Sequence, residues 1–292
     1  MNHMQRYLAL QKIVETGSFT KAAQALGYTQ PALSQMVASL EKELGFRLLQ
    51  RSRNGVRLTP EGERLYPFIA RTTAQYTSME EIVKDIKGLD TGVIRLGTIS
   101  SISAHWLPQM ISTFWKQYPN VQFVIHQGDY TTIPEWIRTG EADLGFVSPY
   151  AVPGMKPLFV KTGSHMAVLP EDHPLAKQKS ITLKDLAKEP FLLLEEGSYS
   201  EVLDAFEKKG LKPDIRLRMH DDYSILSMVE QGLGVSILPS LVLRKTAYDV
   251  GLIPLKPDLK RRIGLFTRND AELSIAARTF AMFLEEHAQE LP

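Results

Sequence analysis

The tightest constraint on this chain's fold lies in residues 18–45, where two helical patterns are separated by little more than a Gly-Tyr pair. Ser18 is placed to cap a short helix, Phe19 to Leu26, in which Ala22, Ala23 and Leu26 form a small-residue packing face. Gly27-Tyr28 makes a tight turn, and Thr29 caps a second helix running to about Leu44. Pro31 is tolerated there because N–H groups of a first turn have no intrahelical partner. Ala32, Leu33, Val37, Leu40 and Leu44 supply the buried stripe, and Gly45 ends the helix. Two helices joined through a Gly-containing turn of this length make a helix-turn-helix. An earlier helix, with Tyr7, Leu10, Ile13 and Val14 at helical spacing, stops at Thr16-Gly17-Ser18 and completes a compact helical head.

Arg47 to Leu58 reads as a short hairpin with an Asn54-Gly55 turn flanked by arginines, a wing beside the helices. Charge separates this head from the rest. Residues 1–58 carry eight Lys or Arg against three acids, net +5, while the remainder is net −4 within an overall +1. A basic head on an acidic body implies a polyanionic partner for the head. In Thr29-Gln30-Pro31-Ala32-Leu33-Ser34-Gln35, residues 30, 31, 34 and 35 fall on the face away from Leu33, Val37 and Leu40. Gln reads adenine through paired hydrogen bonds, and Ser bonds a base or a phosphate. Arg51, Arg53 and Arg57 suit phosphate contacts, which give affinity with little sequence information. Taken singly, each polar residue could equally be an ordinary solvated helix position.

Thr59-Pro60-Glu61 starts a longer helix, ending about Lys87 before Gly88. Leu65, Ile69, Thr72, Tyr76, Met79, Val83 and Ile86 follow alternating spacings of four and three, a heptad seam long enough for a two-stranded coiled coil. The alternative is an amphipathic helix lying on its own domain. Pro67 implies a kink near its start. From Gly92 the rhythm changes to alternating strands and helices, beginning with strands at Val93–Thr98, Val121–His126 and Ala142–Val147 and helices at His105–Tyr118 and Tyr130–Gly140, and closing with a helix at Asp270–Ala288. Such alternation implies mostly parallel sheets covered by helices on both faces.

The stretch from Phe19 to Gly62, through Thr-Gln-Pro-Ala-Leu-Ser-Gln and Leu-Glu-Lys-Glu-Leu-Gly to Leu-Thr-Pro-Glu-Gly, resembles the DNA-binding domain of LysR-type transcriptional regulators. The resemblance implies an all-α winged helix-turn-helix domain (1–58) with a linker and dimerisation helix (59–88). It further implies an α/β, two-subdomain effector domain (92–292) like the type 2 periplasmic binding proteins. Subdomain I would comprise 92–161 and 268–292, and subdomain II 162–267, with crossovers near Lys161-Thr162 and Thr267-Arg268. The partners it implies are double-stranded operator DNA, a small-molecule effector and RNA polymerase. The chain itself would pair as a homodimer or, as a dimer of dimers, a homotetramer, through Leu65, Ile69, Tyr76, Met79 and Val83. Gln30, Pro31, Ser34 and Gln35 match the groove-reading positions, and Arg53 a wing contact.

Open parallel sheets bind ligands at the carboxyl ends of strands, so the cleft candidates are the loops there. Ser100, Ser101 and Ser103 follow the first strand at a helix start, and Ser148-Pro149 follows the third. Glu195, Glu196, Gly197 and Ser198 follow a strand of the second subdomain, and Asp221 and Asp222 precede a helix. For the serines, ligand contact and helix capping weigh evenly; for the acids, capping is favoured. No cleft position offers an obvious Arg, while His126 and His165 could line it. Enzymatic chemistry finds no support: the seven histidines show no His-x-x-x-His spacing, and there is no Gly-x-Ser-x-Gly elbow or phosphate loop. The expectation is therefore a regulator with no catalytic residues, metal or cofactor; the rival is an enzyme or solute-binding module carrying its helix-turn-helix for interaction only. Without cysteine there is no disulfide or thiolate site. No apolar run approaches the ~18 residues of a membrane span, and no signal-peptide pattern opens the chain, so a cytoplasmic location is expected.

Overall fold

A computed structural model describes residues 3–52, 55–86, 92–244, 246–267 and 273–291. The chain divides near residue 88 into two units. In the first, α1 (His3–Thr16), α2 (Phe19–Leu26) and α3 (Gln30–Leu44) enclose a core of Leu10, Ile13, Ala22, Leu33, Met36, Val37 and Leu40. Met36 belongs to this stripe although the sequence pattern passed over it. Ser18 caps α2 by accepting from Lys21 N, and Thr29 caps α3 by accepting from Ala32 N. Gly27 and Gly45 end the two helices in the left-handed conformation that a Cβ disfavours. Arg6, one of the eight basic residues of the head, is buried and donates to Glu43 Oε2 (2.8 Å), tying α1 to α3.

The wing consists of β1 (Leu49–Ser52) and β2 (Gly55–Leu58), antiparallel with Ser52 opposite Gly55. Gly55 is thus a strand residue rather than the second residue of an Asn-Gly turn; residues 53 and 54 lie outside the described residues. Its φ of +116° lets Val56 N reach Gly17 O (3.0 Å), fastening the wing to the turn before α2. Glu41 Oε1 accepts from both Leu48 N and Leu49 N, fixing where the wing begins. Helix α4 (Pro60–Ile86) runs on through Pro67. Ile69 is buried in the head's own core and Leu65 packs against it. Those two expected seam residues therefore face inward, whereas Phe68, Met79 and Val83 are 59%, 53% and 43% exposed.

In the second unit β3 (Val93–Thr98) pairs in parallel with β4 (Gln122–Gln127) and β5 (Leu144–Val147). The helix expected over 105–118 is two, α5 (Ser100–His105) and α6 (Leu107–Trp115), the second restarting with Pro108 in its first turn. With α7 (Thr132–Thr139) and α11 (Ile275–Glu286) they bury Ile94, Leu96, Phe114, Phe146 and Phe280 in one core. Two long strands, β6 (Phe159–Pro170) and β11 (Lys260–Phe266), then run antiparallel, with Arg261 opposite Gly163 and Ile263 opposite Lys161. The return passage thus lies beside the outgoing one, earlier than Thr267-Arg268; Arg268 lies outside the described residues. β9 (Ser236–Pro239) and β10 (Val250–Pro254) also join β6 antiparallel, so this sheet is mixed rather than mostly parallel.

Beyond the crossing, β7 (Pro190–Leu194) and β8 (Asp214–Met219) are parallel. Successive side chains of a strand face opposite ways. Phe191 and Leu193 accordingly enter a core with α8 (Leu183–Leu186) and α9 (Glu201–Lys208), while Leu192 and Leu194 enter one with α10 (Asp222–Glu230). Burying each such side chain contributes roughly 1.5–3 kcal/mol. No helix among the described residues is long and apolar enough to cross a membrane.

Candidate functional site: a polar cleft and a reading helix

The second unit holds a cavity of about 340 Å³ between its cores. Ser100, Gln127, Asp129, Thr132 and Trp136 line it from the first core, and Glu195, Glu196, His220 and Asp222 from the second. All but Trp136, which projects from within α7, sit at a strand's end or a helix's start, where the backbone stops pairing. Arg261, from the crossing strand, forms part of the wall. It is buried, and donates to Ser101 Oγ (3.1 Å), Tyr130 Oη (3.1 Å) and Glu196 Oε1 (2.6 Å), joining both cores through one guanidinium. Burial works against its charge, but Tyr130, Glu196, Glu201 and Asp222 raise its pKa overall.

Ser100 donates to Asp222 Oδ2 across the cleft. Burial raises the Asp222 and Glu196 carboxyls above their usual range, opposed by the Ser100 hydroxyl in the first case and by Arg261 in the second. Asp129 goes the other way. Burial would push it up, but Thr131 N, Thr132 N and the Thr132 hydroxyl all donate to its carboxylate and hold it below the usual value. The lining therefore presents four acids and one guanidinium, the latter already engaged by Glu196.

The candidates named from sequence divide. Ser100 and Glu195 line the cavity. Ser101 is buried with Arg261 on its hydroxyl; Ser103 Oγ turns back to Ser100 O (2.9 Å); and Ser148 is buried behind the wall. Pro149 opens a short 3-10 turn, and Ser198 Oγ donates to Tyr130 O (2.8 Å). Gly197, at φ +93°, packs on Thr131 and Asp129, where a Cβ would collide. Asp221 caps α10 through Ser224 N (2.6 Å), leaving its neighbour Asp222 to face the cleft. His126 lies beside Trp136 and His165 is buried, so neither lines the cavity. Arg261, Asp129, Thr132 and His220 went unnamed, whereas Glu196 and Asp222, named beside Glu195 and Asp221, line the cavity; an arginine is present where none was expected.

In the first unit, Thr29, Pro31 and Gln35 are exposed and Gln30 and Ser34 half-buried; by helical spacing Pro31 and Gln35 lie opposite Leu33, Val37 and Leu40, with Gln30 and Ser34 at the edge of the buried stripe. Arg57 is exposed on β2; Arg51 lies in β1, its side chain outside the described residues, as is Arg53. Tyr76 is half-buried on α4.

A helix-turn-helix with a wing, followed by a two-core α/β unit around a polar cleft, defines a ligand-responsive DNA-binding regulator. Residues 4–63 match the family model for the bacterial regulatory helix-turn-helix protein, lysR family, and residues 87–289 that for the LysR substrate binding domain. The Bacillus subtilis HTH-type transcriptional regulator YvbU is 34% identical over 94% of this chain and 95% of its own. The structure of a full-length OxyR variant from Pseudomonas aeruginosa covers 100% of this chain and 96% of its own, at 24% identity and a TM-score of 0.71. CbnR complexed with its target DNA covers 99% of each chain at 20% identity and a TM-score of 0.70. The chain belongs to the LysR family of transcriptional regulators: it binds DNA through the helix-turn-helix, carries an effector-binding domain, and is not an enzyme.

Proposed function

We propose that Gln30, Ser34 and Gln35 read base edges in the operator's major groove while Arg51, Arg53 and Arg57 hold phosphates. A small polar effector is bound between the two cores of the second unit. The observation that supports this most is the cavity, bounded by hydrogen-bonding groups from both cores, so that an occupant would bridge them. Two chains pair through the exposed distal part of α4, and two dimers associate on DNA in the cytoplasm, where RNA polymerase is the partner that reads the outcome. The test is a mobility-shift titration with the intergenic DNA upstream of the chain's own gene, repeated with metabolites that raise the protein's melting temperature. A metabolite that stabilises the protein should shift either its DNA affinity or its footprint. Gln30→Ala should cost on the order of 1–3 kcal/mol on target DNA and almost nothing on random DNA. Equal losses on both would remove Gln30 from the base-reading set.

A further inference from the structure

Behind the cleft wall lies a cluster that effector binding does not call for. His165 on β6, Glu196 after β7 and Glu201 at the start of α9 bring one ring nitrogen and two carboxylate oxygens within 4.8 Å of one another, all three residues buried. His165 is 1% exposed, and its Nδ1 faces Leu259 O at 3.3 Å. A carbonyl can only accept, so Nδ1 carries the proton and Nε2 is a bare lone pair. That Nε2 has no hydrogen-bond partner, and the Glu201 carboxylate has only the Ser148 hydroxyl and its own backbone N–H beside it.

We propose that His165 Nε2, a Glu196 oxygen and a Glu201 oxygen are the protein ligands of a divalent first-row transition-metal ion seated where the two cores meet. Metal-bound histidines usually donate their second ring N–H to a carbonyl or carboxylate, which is the arrangement at Leu259; Arg261 orients Glu196 from behind in the same way. One imidazole and two carboxylates, with no thiolate in the chain, select Zn²⁺, Fe²⁺ or Mn²⁺ over softer ions. Charge points the same way. Glu196, Glu201 and Asp222 face one guanidinium in this pocket, an excess of acidic over basic groups that suits a cation. Burial keeps the His165 imidazole neutral and therefore able to ligate. Three equally spaced ligands ~2.0–2.2 Å from one ion lie at most ~3.8 Å apart, so the three donors close by up to about an ångström on loading. The ligands come from three separate elements, which is why no His-x-x-x-His spacing announced them.

The experiment uses the full chain, stripped with EDTA and titrated calorimetrically with Zn²⁺ in buffers of different ionisation enthalpy, then with Co²⁺ followed by visible absorption. The expected result is one ion per chain and a Co²⁺ d–d spectrum. Glu201→Gln and His165→Gln, with folding checked by circular dichroism, should each weaken Zn²⁺ binding by more than the about 10–100-fold typical of losing an outer-shell partner. His220→Ala, altering an exposed histidine of the cleft, should leave it unchanged. Absence of stoichiometric binding, or binding unaffected by Glu201→Gln, would overturn the proposal and assign the lone pairs to buried water. Because Glu196 also lines the cleft, the metal is tested through His165 and Glu201, which do not line it, so loss of Zn²⁺ binding in those variants leaves the effector reading standing.

Discussion

Asp129 shows how a single carboxylate can shape the cleft without binding anything. It takes three hydrogen bonds from Thr131 and Thr132 and so fixes the turn into α7. Asp129→Ala should cost about 1 kcal/mol, the usual value of a helix-start cap, seen as a fall in melting temperature of roughly 2–4 °C for a unit of this size. Its folded pKa is lowered from 3.8, so the contribution is present above pH 3.8 and is lost as pH falls through the lower folded value. Melting curves of both proteins should therefore converge in acid; a gap that stays constant well below that range would show that the charge is not what holds the turn. The sequence pointed to the right loops but not to the right atoms. Ser100 and Ser101 are adjacent hydroxyls, and successive helix positions turn by about 100°, so one meets the cavity and the other the core. Arg261 stands in a run of three basic residues and is distinguishable only by strand parity, since it shares its face with the buried Ile263 and Leu265. That parity was available in the sequence; the partners Ser101, Tyr130 and Glu196, each far away along the chain, were not.

Elements were more legible than their pairing. Local periodicity and capping residues located α2, α3 and the strands, because those signals act within a few residues. The direction of pairing depends on how the chain crosses between cores, and so the antiparallel β6, β9, β10 and β11 read as parallel. In α4 the heptad rule was right about spacing and blind to competition: its proximal members met the head's own core first. Met79 and Val83 stay exposed, and the proposed pairing rests on them. Charged replacement of both by Glu should give a monomer in sedimentation, with operator affinity falling steeply because two heads no longer bind together. Circular dichroism should be unchanged, since neither side chain is buried. A double variant that still sediments as a dimer would move the interface elsewhere. At the helix's other end Gly62 lies against Leu48 O with no room for a Cβ, so Gly62→Ala should loosen the wing and weaken binding to target and random DNA alike.

At the scale of the molecule, the regulator needs a ligand with different affinities for two arrangements, since a ligand that binds both equally shifts nothing. A cavity lined from both cores can supply that difference, because occupancy adds to the hydrogen bonds by which Arg261, Ser100 and Ser198 already join them. The neighbouring serines allow the idea to be tested with one chemical change made at two positions. Ser100→Phe places a ring in a cavity of about 340 Å³ and should be accommodated, with a melting temperature within about 2 °C of wild type. Ser101→Phe forces the same ring into a filled core and displaces Arg261, costing at least the roughly 1–3 kcal/mol of overpacking and lowering the melting temperature by several degrees. Ligand-free DNA binding should survive in Ser100→Phe, while the response to effector is lost and calorimetry shows no saturable binding. If Ser100→Phe instead bound effector as wild type does, the occupant would lie elsewhere; the second cavity, of about 310 Å³ between Lys161, Ser240 and Arg244, would be the place to look, and the same measurement on Arg244→Ala would decide it.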